Sequence, residues 1–336
     1  MIREYLKLAR SFNAILTGIS PVMGAIAMEQ YNIFTLLILF LIGFFGHTFG
    51  FVFNDIIDYN IDKTSEEISD RPLLSGTISL RNAWIFAIIS LIIPFIIAFY
   101  IAYQSGIYFP IILLVFSALS IALYDLISKK IPFMDIFVAI GVFLFIMYGA
   151  STQVSSLSEI TPIAWLVCIL GSVQVLFMQI VAGGFKDIEN DFKKGARTGA
   201  IKLGVRIQDG KLRVSSAFQG VAFGIQFIDI VLVFLPYFII KGFTKFTAFT
   251  YIQWLLLTII AILMFFLSYK LLHMETFNRK TARKYIGSHY MVNFCIVPIM
   301  LMSLNPWAGL LMFFPGLGFI LSNLILHGTL LQPKTM

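Results

Sequence analysis

The chain has 336 residues, 59% of them hydrophobic and only 12% charged, with a net charge of +7. An ordinary soluble domain carries about a quarter of its residues as charges, so this composition excludes that class. Its two cysteines, Cys168 and Cys295, both sit inside apolar blocks, which excludes a disulfide framework or a cysteine-based zinc site.

The first segment, Met1 to Asn13, carries Arg3, Lys7 and Arg10. With no small-residue cleavage site behind it and many apolar blocks to follow, it reads as a cytoplasmic leader that stays attached. A helix crossing the hydrocarbon core needs about 20 apolar residues. Blocks of that kind recur at 12–31, 33–53, 83–104, 107–127, 133–150, 162–184, 219–240, 250–272, 286–304 and 307–327. Backbone groups in lipid must be satisfied within the segment, so each block predicts a helix. A transmembrane barrel would show short alternating strands instead. The expected fold is an all-α, polytopic transmembrane bundle forming a single domain over residues 1–336. The last two blocks are divided only by Asn305-Pro306.

Charge sorts these blocks by side. If the N-terminus and every second connection share one face of the membrane, that face holds 22 of the 24 Lys and Arg residues; only Lys241 and Lys245 fall on the other. Positive charge near span ends marks the cytoplasmic side. The same distribution explains the basic character of a membrane protein without a nucleic-acid partner.

The acids are concentrated. Six of 17 lie between Asp55 and Asp70, and three more between Asp187 and Asp191. Both groups follow an apolar block onto the cytoplasmic side. Continued helix would put Asn54, Asp58 and Asp62 within an arc of about 80°, with Asp55 near its edge, and would put Asp187 and Asp191 on one face. Like charges at this spacing repel, and carboxylates at the hydrocarbon boundary are costly enough to mark function. A hard divalent cation neutralises them naturally: magnesium takes oxygen ligands, usually one or two carboxylates plus substrate phosphates.

These residues resemble the UbiA-type intramembrane prenyltransferase family. Asn54, Asp55, Asp58 and Asp62, followed by Arg71-Pro72, match its first acidic signature; Asp187 and Asp191, followed by Lys193, Lys194, Gly195, Arg197 and Thr198, match its second. Tyr124 with Lys129 and Lys130 fits a third element. The resemblance covers spans 1 to 9, implying nine core spans over 1–304 and an added tenth over 305–336. It implies that the two acidic clusters, as metal ligands, face each other across one cavity and hold two Mg²⁺ ions around a prenyl diphosphate. The acceptor would be an aromatic or lipid molecule. Arg71, Lys193, Lys194 and Arg197 are the expected diphosphate-binding residues, with Lys129 or Lys130 assisting departure. Tyr124 is the first candidate for an aromatic wall around the allylic cation. Arg10, Asn13 and Asp135 are candidate substrate contacts.

Two other classes compete. An ion-coupled transporter would place its acids or broken helices near the bilayer midplane, whereas these acids lie at span ends. A membrane alcohol phosphotransferase would carry a D-G-x-x-A-R signature, which the sequence lacks. Two polar residues within the apolar blocks stand apart. Asp229 is expected to pair structurally with Gln174 or Gln179, and His47 to be a hydrogen-bonded packing residue.

Overall fold

A computed structural model describes residues 1–63, 68–193, 195, 197–208, 211–245 and 247–330, without the side chains of Ile61, Asn190, Lys193 and Pro315. The chain is a helical bundle. Helix α1 (Ile2–Leu8) leads into α2 (Ser11–Ala27), and α3 (Ile33–Ile57) is followed by the single turn α4 (Tyr59–Asp62). Then come α5 (Leu80–Ser105), α6 (Phe109–Ile127), α7 (Asp135–Ser151) and α8 (Pro162–Phe177). A π-helical turn (Met178–Gly183) prolongs α8 into α9 (Gly184–Lys186), and the short helices α10 (Ile188–Lys193) and α11 (Gly199–Lys202) follow. The strands β1 (Arg206–Gln208) and β2 (Lys211–Arg213) pair antiparallel, Arg206 opposite Arg213, in a hairpin that the apolar pattern does not announce. The chain closes with α12 (Ser216–Phe234), α13 (Pro236–Ile239), α14 (Ala248–Leu272), α15 (Arg279–Asn293), α16 (Ile296–Leu301) and α17 (Phe313–His327).

Local chemistry sets the helix starts. Asn32, Ser79, Thr161, Ser215, Thr247 and Asn278 each accept a first-turn backbone N–H with a side-chain oxygen, satisfying donors that a helix leaves open. Along the lipid-facing sides, residues such as Ile88, Ile92 and Phe99 on α5 and Ile252, Leu255 and Ile259 on α14 are exposed.

The ten apolar blocks do not become ten equal spans. Among the described residues, seven helices are long and apolar enough to cross a membrane: Ile33–Ile57, Leu80–Ser105, Phe109–Ile127, Pro162–Lys186, Ser216–Ile239, Ala248–Leu272 and Pro306–His327. The first and fifth blocks give α2 and α7, of 17 residues each, or about 26 Å against a hydrocarbon core of about 30 Å. The block 286–304 is divided between α15 and α16. Pro298 has no N–H to return to Phe294, so one helical hydrogen bond is missing at the junction of the two.

The bundle centres on α2, which packs against α3, α7, α8 and α17. Close approach depends on glycine. A Cβ at Gly43 would lie 2.6 Å from the Cα of Gly18 on α2, and one at Gly149 on α7 would run into the Pro21 carbonyl. Van der Waals contact between closely approaching backbones is the main attraction available between helices in lipid. Helix α17 closes the structure onto α2, with Gly318 against Ile15 and the Phe12 and Phe319 rings 5.6 Å apart, edge to face.

Candidate active site

Both acidic clusters reach one cavity, of about 330 Å³. Its first wall comes from the end of α3. The helix ends at Ile57, yet Asp58 N bonds Asn54 O at 2.9 Å and Asp62 N bonds Asp58 O at 2.8 Å. The four-residue spacing survives, and Asn54, Asp58 and Asp62 all line the cavity. The second wall has the same one-residue break. Continuous helix does not run through Asp187 to Asp191: the span ends at Lys186 and α10 starts at Ile188. Asp191 N still bonds Asp187 O at 2.9 Å, and both carboxylates line the cavity.

Asp55 points elsewhere. It is buried outside the lining and pairs with two guanidiniums, Arg10 at 2.6 Å and Arg71 at 3.5 Å. Arg71 also pairs with Asp62 at 2.8 Å, so Asp55 fixes the arginine that reaches the site. Burial works against the charge of Arg71, but Asp55 and Asp62 outweigh it and raise its pKa. Arg10 reaches Asp55 from a left-handed backbone, φ 46°, with its guanidinium 4.7 Å above the Phe51 ring. Such a backbone costs of order 1–3 kcal/mol for a residue with a Cβ.

Lys129 lines the cavity, 3.6 Å from Asp191. Lys130 is exposed and outside the lining, so the structure separates the two lysines that sequence leaves equivalent. Arg10, Asn13, Arg71, Tyr124 and Asp135 are in the lining; Arg197 is exposed and is not. Lys194 and the side chain of Lys193 lie outside the described residues. The Tyr124 hydroxyl donates to Gln179 Oε1 at 3.3 Å.

Asp58 differs from the other acids. It is buried, lines the cavity and has no ion pair within 4 Å among the described residues. Burial pushes its carboxyl up to about 6, Lys129 opposing and Asp62 and Asp55 adding to the rise. Among the described residues, no three His, Cys, Asp or Glu side chains stand together as a ready metal cage.

Residues 18–292 match the model of the UbiA prenyltransferase family. The chain belongs to that family. It is therefore a prenyltransferase and an integral membrane protein. Over 238 residues it is 28% identical to a digeranylgeranylglyceryl phosphate synthase of Pyrococcus furiosus, covering 70% of this chain and 78% of the relative. Over 209 residues it is 27% identical to a protein of the same name from Methanobrevibacter smithii, covering 61% and 71%. Its fold matches the structure of a UbiA homolog from Archaeoglobus fulgidus bound to GPP and Mg²⁺, with a TM-score of 0.63 at 16% identity, covering 90% of this chain and 99% of the other.

The cavity of this UbiA-family chain also holds side chains that the sequence does not single out. Asp125 is buried in the last turns of α6 and accepts from Asn54 Nδ2 at 3.1 Å. This fixes the Asn54 amide and leaves Asn54 Oδ1 as an acceptor. Asp125 stands four residues before Lys129, and that spacing was its only signal. Arg279 donates to Asp187 Oδ1 at 2.8 Å, and Lys186 Nζ lies 3.7 Å from Oδ2. No local pattern links Arg279 to an acid 92 residues earlier. Of the two isolated polar residues, His47 has a structural partner, its Nδ1 lying 2.8 Å from Thr17 Oγ1. Asp229 is buried on α12 with its Oδ1 lacking a hydrogen bond among the described residues, while the Gln174 amide donates to Asn293 O at 3.5 Å.

Proposed function

We propose that this protein transfers a prenyl chain from a polyprenyl diphosphate to the hydroxyl of a glycerophosphate lipid, within the membrane, and releases diphosphate. The observation that carries this reading is a single cavity with two chemically distinct ends. One end gathers Asn54, Asp58, Asp62, Asp187 and Asp191 with Arg71 and Lys129; the other is walled by Leu91, Phe95, Leu114, Val142 and Phe145. That is the shape of a charged head on an apolar chain. The lipid acceptor is supported by the name shared by the archaeal relatives, digeranylgeranylglyceryl phosphate synthase. Removing one prenyl chain from the product in that name leaves a monoprenyl glyceryl phosphate.

The donor set fits magnesium. Asn54 Oδ1 and the four lining carboxylates of the two clusters offer oxygen only, and Asp58 carries no ion pair of its own among the described residues. Six carboxyls and five cations line the cavity among the described residues. A diphosphate brings about three further negative charges, so divalent cations are needed for it to enter. Asn54, Asp58 and Asp62 from one wall and Asp187 and Asp191 from the other would hold two such ions. Magnesium, when bound, neutralises the diphosphate as the allylic C–O bond breaks.

The chain's own residues do the rest. Arg71 and Lys129 hold the departing head as preorganised donors, and Lys193, Lys194 and Arg197, close in sequence to Asp191, add positive charge for the same head group. Asp55 and Arg10 position Arg71. Tyr124 presents its ring to the allylic centre, and the apolar wall keeps water from it. Asn13 and Asp135 bound the substrate space. The whole chain acts as one domain, with α17 an addition to the core that ends before Asn305. The acidic clusters and the N-terminus face the cytoplasm; a cysteine at Thr198→Cys should react with impermeant reagent from that side alone.

Purified protein incubated with Mg²⁺, geranylgeranyl diphosphate and a panel of acceptors tests the reading by mass spectrometry. A digeranylgeranyl product formed from monogeranylgeranyl glyceryl phosphate, lost with chelator and restored by Mg²⁺, is expected. Prenylation of an aromatic acid alone would overturn the lipid acceptor.

A further inference from the structure

Six carboxyls line the cavity among the described residues, and five of them are accounted for. Asp62 pairs with Arg71 at 2.8 Å, Asp187 with Arg279 at 2.8 Å and Asp191 with Lys129 at 3.6 Å. Asp125 accepts from Asn54 at 3.1 Å, and Asp58 belongs with the magnesium set. The sixth is Asp135. It lies in neither acidic cluster, and among the described residues it makes no ion pair within 4 Å and no hydrogen bond to another side chain.

The backbone sets this carboxylate in place. Helix α7 begins at Asp135, behind an N-cap, Met134, that supplies no side-chain hydrogen bond. The open N–H groups of that first turn favour a negative charge beside them. One turn on, Ala139 O accepts from Ser172 Oγ at 2.8 Å, which ties α7 to α8. Two residues before Asp135, Phe133 takes a left-handed backbone, φ 64°, and lines the cavity. That conformation is costly for a residue with a Cβ and persists only where the surroundings enforce it. Gly199, at the start of α11, packs against both residues: a Cβ there would lie 3.3 Å from the Phe133 ring and 3.7 Å from Asp135 Oδ2. Of the carboxylates whose charge reaches the Tyr124 hydroxyl, Asp135 acts most strongly, ahead of Asp125, Asp58 and Asp187. An uncommitted carboxylate thus stands near the ring assigned to the allylic centre.

Joining an alcohol to an allylic carbon leaves one proton over. We propose that Asp135 holds the hydroxyl of the acceptor lipid and receives that proton. This rests on the lipid-acceptor reading above. The hydroxyl donates to a carboxylate oxygen, which aims a lone pair of the hydroxyl oxygen at C1 of the donor. That lone pair forms the new C–O bond. The old C1–O bond breaks with its electron pair going to the diphosphate, and the hydroxyl proton crosses to Asp135. Arg71 and Lys129 cannot take this part, because a guanidinium and an ammonium only donate.

The test uses the full chain in nanodiscs with monogeranylgeranyl glyceryl phosphate and its deoxy analogue, in which hydrogen replaces the free hydroxyl. Wild-type protein should bind the hydroxyl lipid at least about tenfold more tightly, as a hydrogen bond to a charged group gives, and Asp135→Ala should reduce that preference to about twofold or less. Asp135→Asn still has an acceptor oxygen. It should keep at least about a threefold preference, while its kcat for transfer falls at least about tenfold. In both variants the KM for geranylgeranyl diphosphate should stay within about twofold, which a general loss of fold would not allow. A hydroxyl preference that survives Asp135→Ala would overturn the proposal. So would wild-type turnover in Asp135→Asn, which would give the proton to another group, or a donor KM that rises as the preference is lost, which would assign Asp135 to the shape of the cavity. Prenylation of aromatic acceptors alone would sink the lipid reading itself. Prenylation of the glycerolipid with an unchanged preference in Asp135→Ala would sink only the role of Asp135.

Discussion

The two acidic clusters share a spacing, a one-residue helix break and a cavity, yet the fold supports them by different means. The first is braced from behind: Asp55, Arg10 and Arg71 form a buried ion network whose Arg10–Asp55 side chains are only 9% and 7% exposed. The second follows a π turn and a helix break, and Asp187, 30% exposed, is held by cations from other parts of the chain. One wall is held by a buried ion network behind its carboxylates; the other by partly exposed ion pairs made to the carboxylate itself. The comparison teaches that a repeated four-residue spacing specifies where oxygens go, not how firmly they are held.

The largest expected effect tests that contrast in stability. Asp55→Ala leaves two guanidiniums short of a buried partner and should cost about 3 kcal/mol or more, seen as a lowered thermal midpoint in detergent. Asp187→Ala should cost about 1 kcal/mol or less, because its pairs are partly exposed. Equal losses would erase the distinction between a braced wall and a gathered one.

Next comes turnover, where the two walls should behave alike. Asp58→Ala and Asp191→Ala should each lower the rate of diphosphate release by at least about tenfold, roughly 1.4 kcal/mol. Near-normal turnover in either variant would rule that residue out as a required ligand. The smallest effect concerns neighbouring lysines. Lys129→Ala should slow turnover about fivefold, roughly 1 kcal/mol, while Lys130→Ala should change it by less than about twofold. Similar losses from both would contradict the separation of Lys129, in the cavity, from Lys130, outside it.

Much of this was legible in the amino-acid pattern. Apolar blocks and charge asymmetry indicated a helical membrane protein, and the acids at span ends indicated where the polar end of its cavity would lie. Span number was less legible, because hydropathy counts apolar residues without registering where Pro298 or a π turn interrupts the hydrogen bonding. Asp55 reads as one more ligand in its motif; only packing reveals that Arg10 and Arg71 have claimed it. Arg279 and Asp125 are unreadable for a related reason. Their partners, Asp187 and Asn54, are 92 and 71 residues away, and no periodicity encodes such a meeting.

The π turn at Met178–Gly183 has a consequence for how the chain can change. A wider turn takes up an additional residue inside the helix. In ordinary α-helix one residue more would swing everything after it by about 100° around the axis; the π turn takes up that residue locally and spares Asp187 and Asp191 most of the rotation. The aim of the second cluster thus depends on how the backbone between Met178 and Gly183 is wound, a stretch that contains none of the carboxylates it aims.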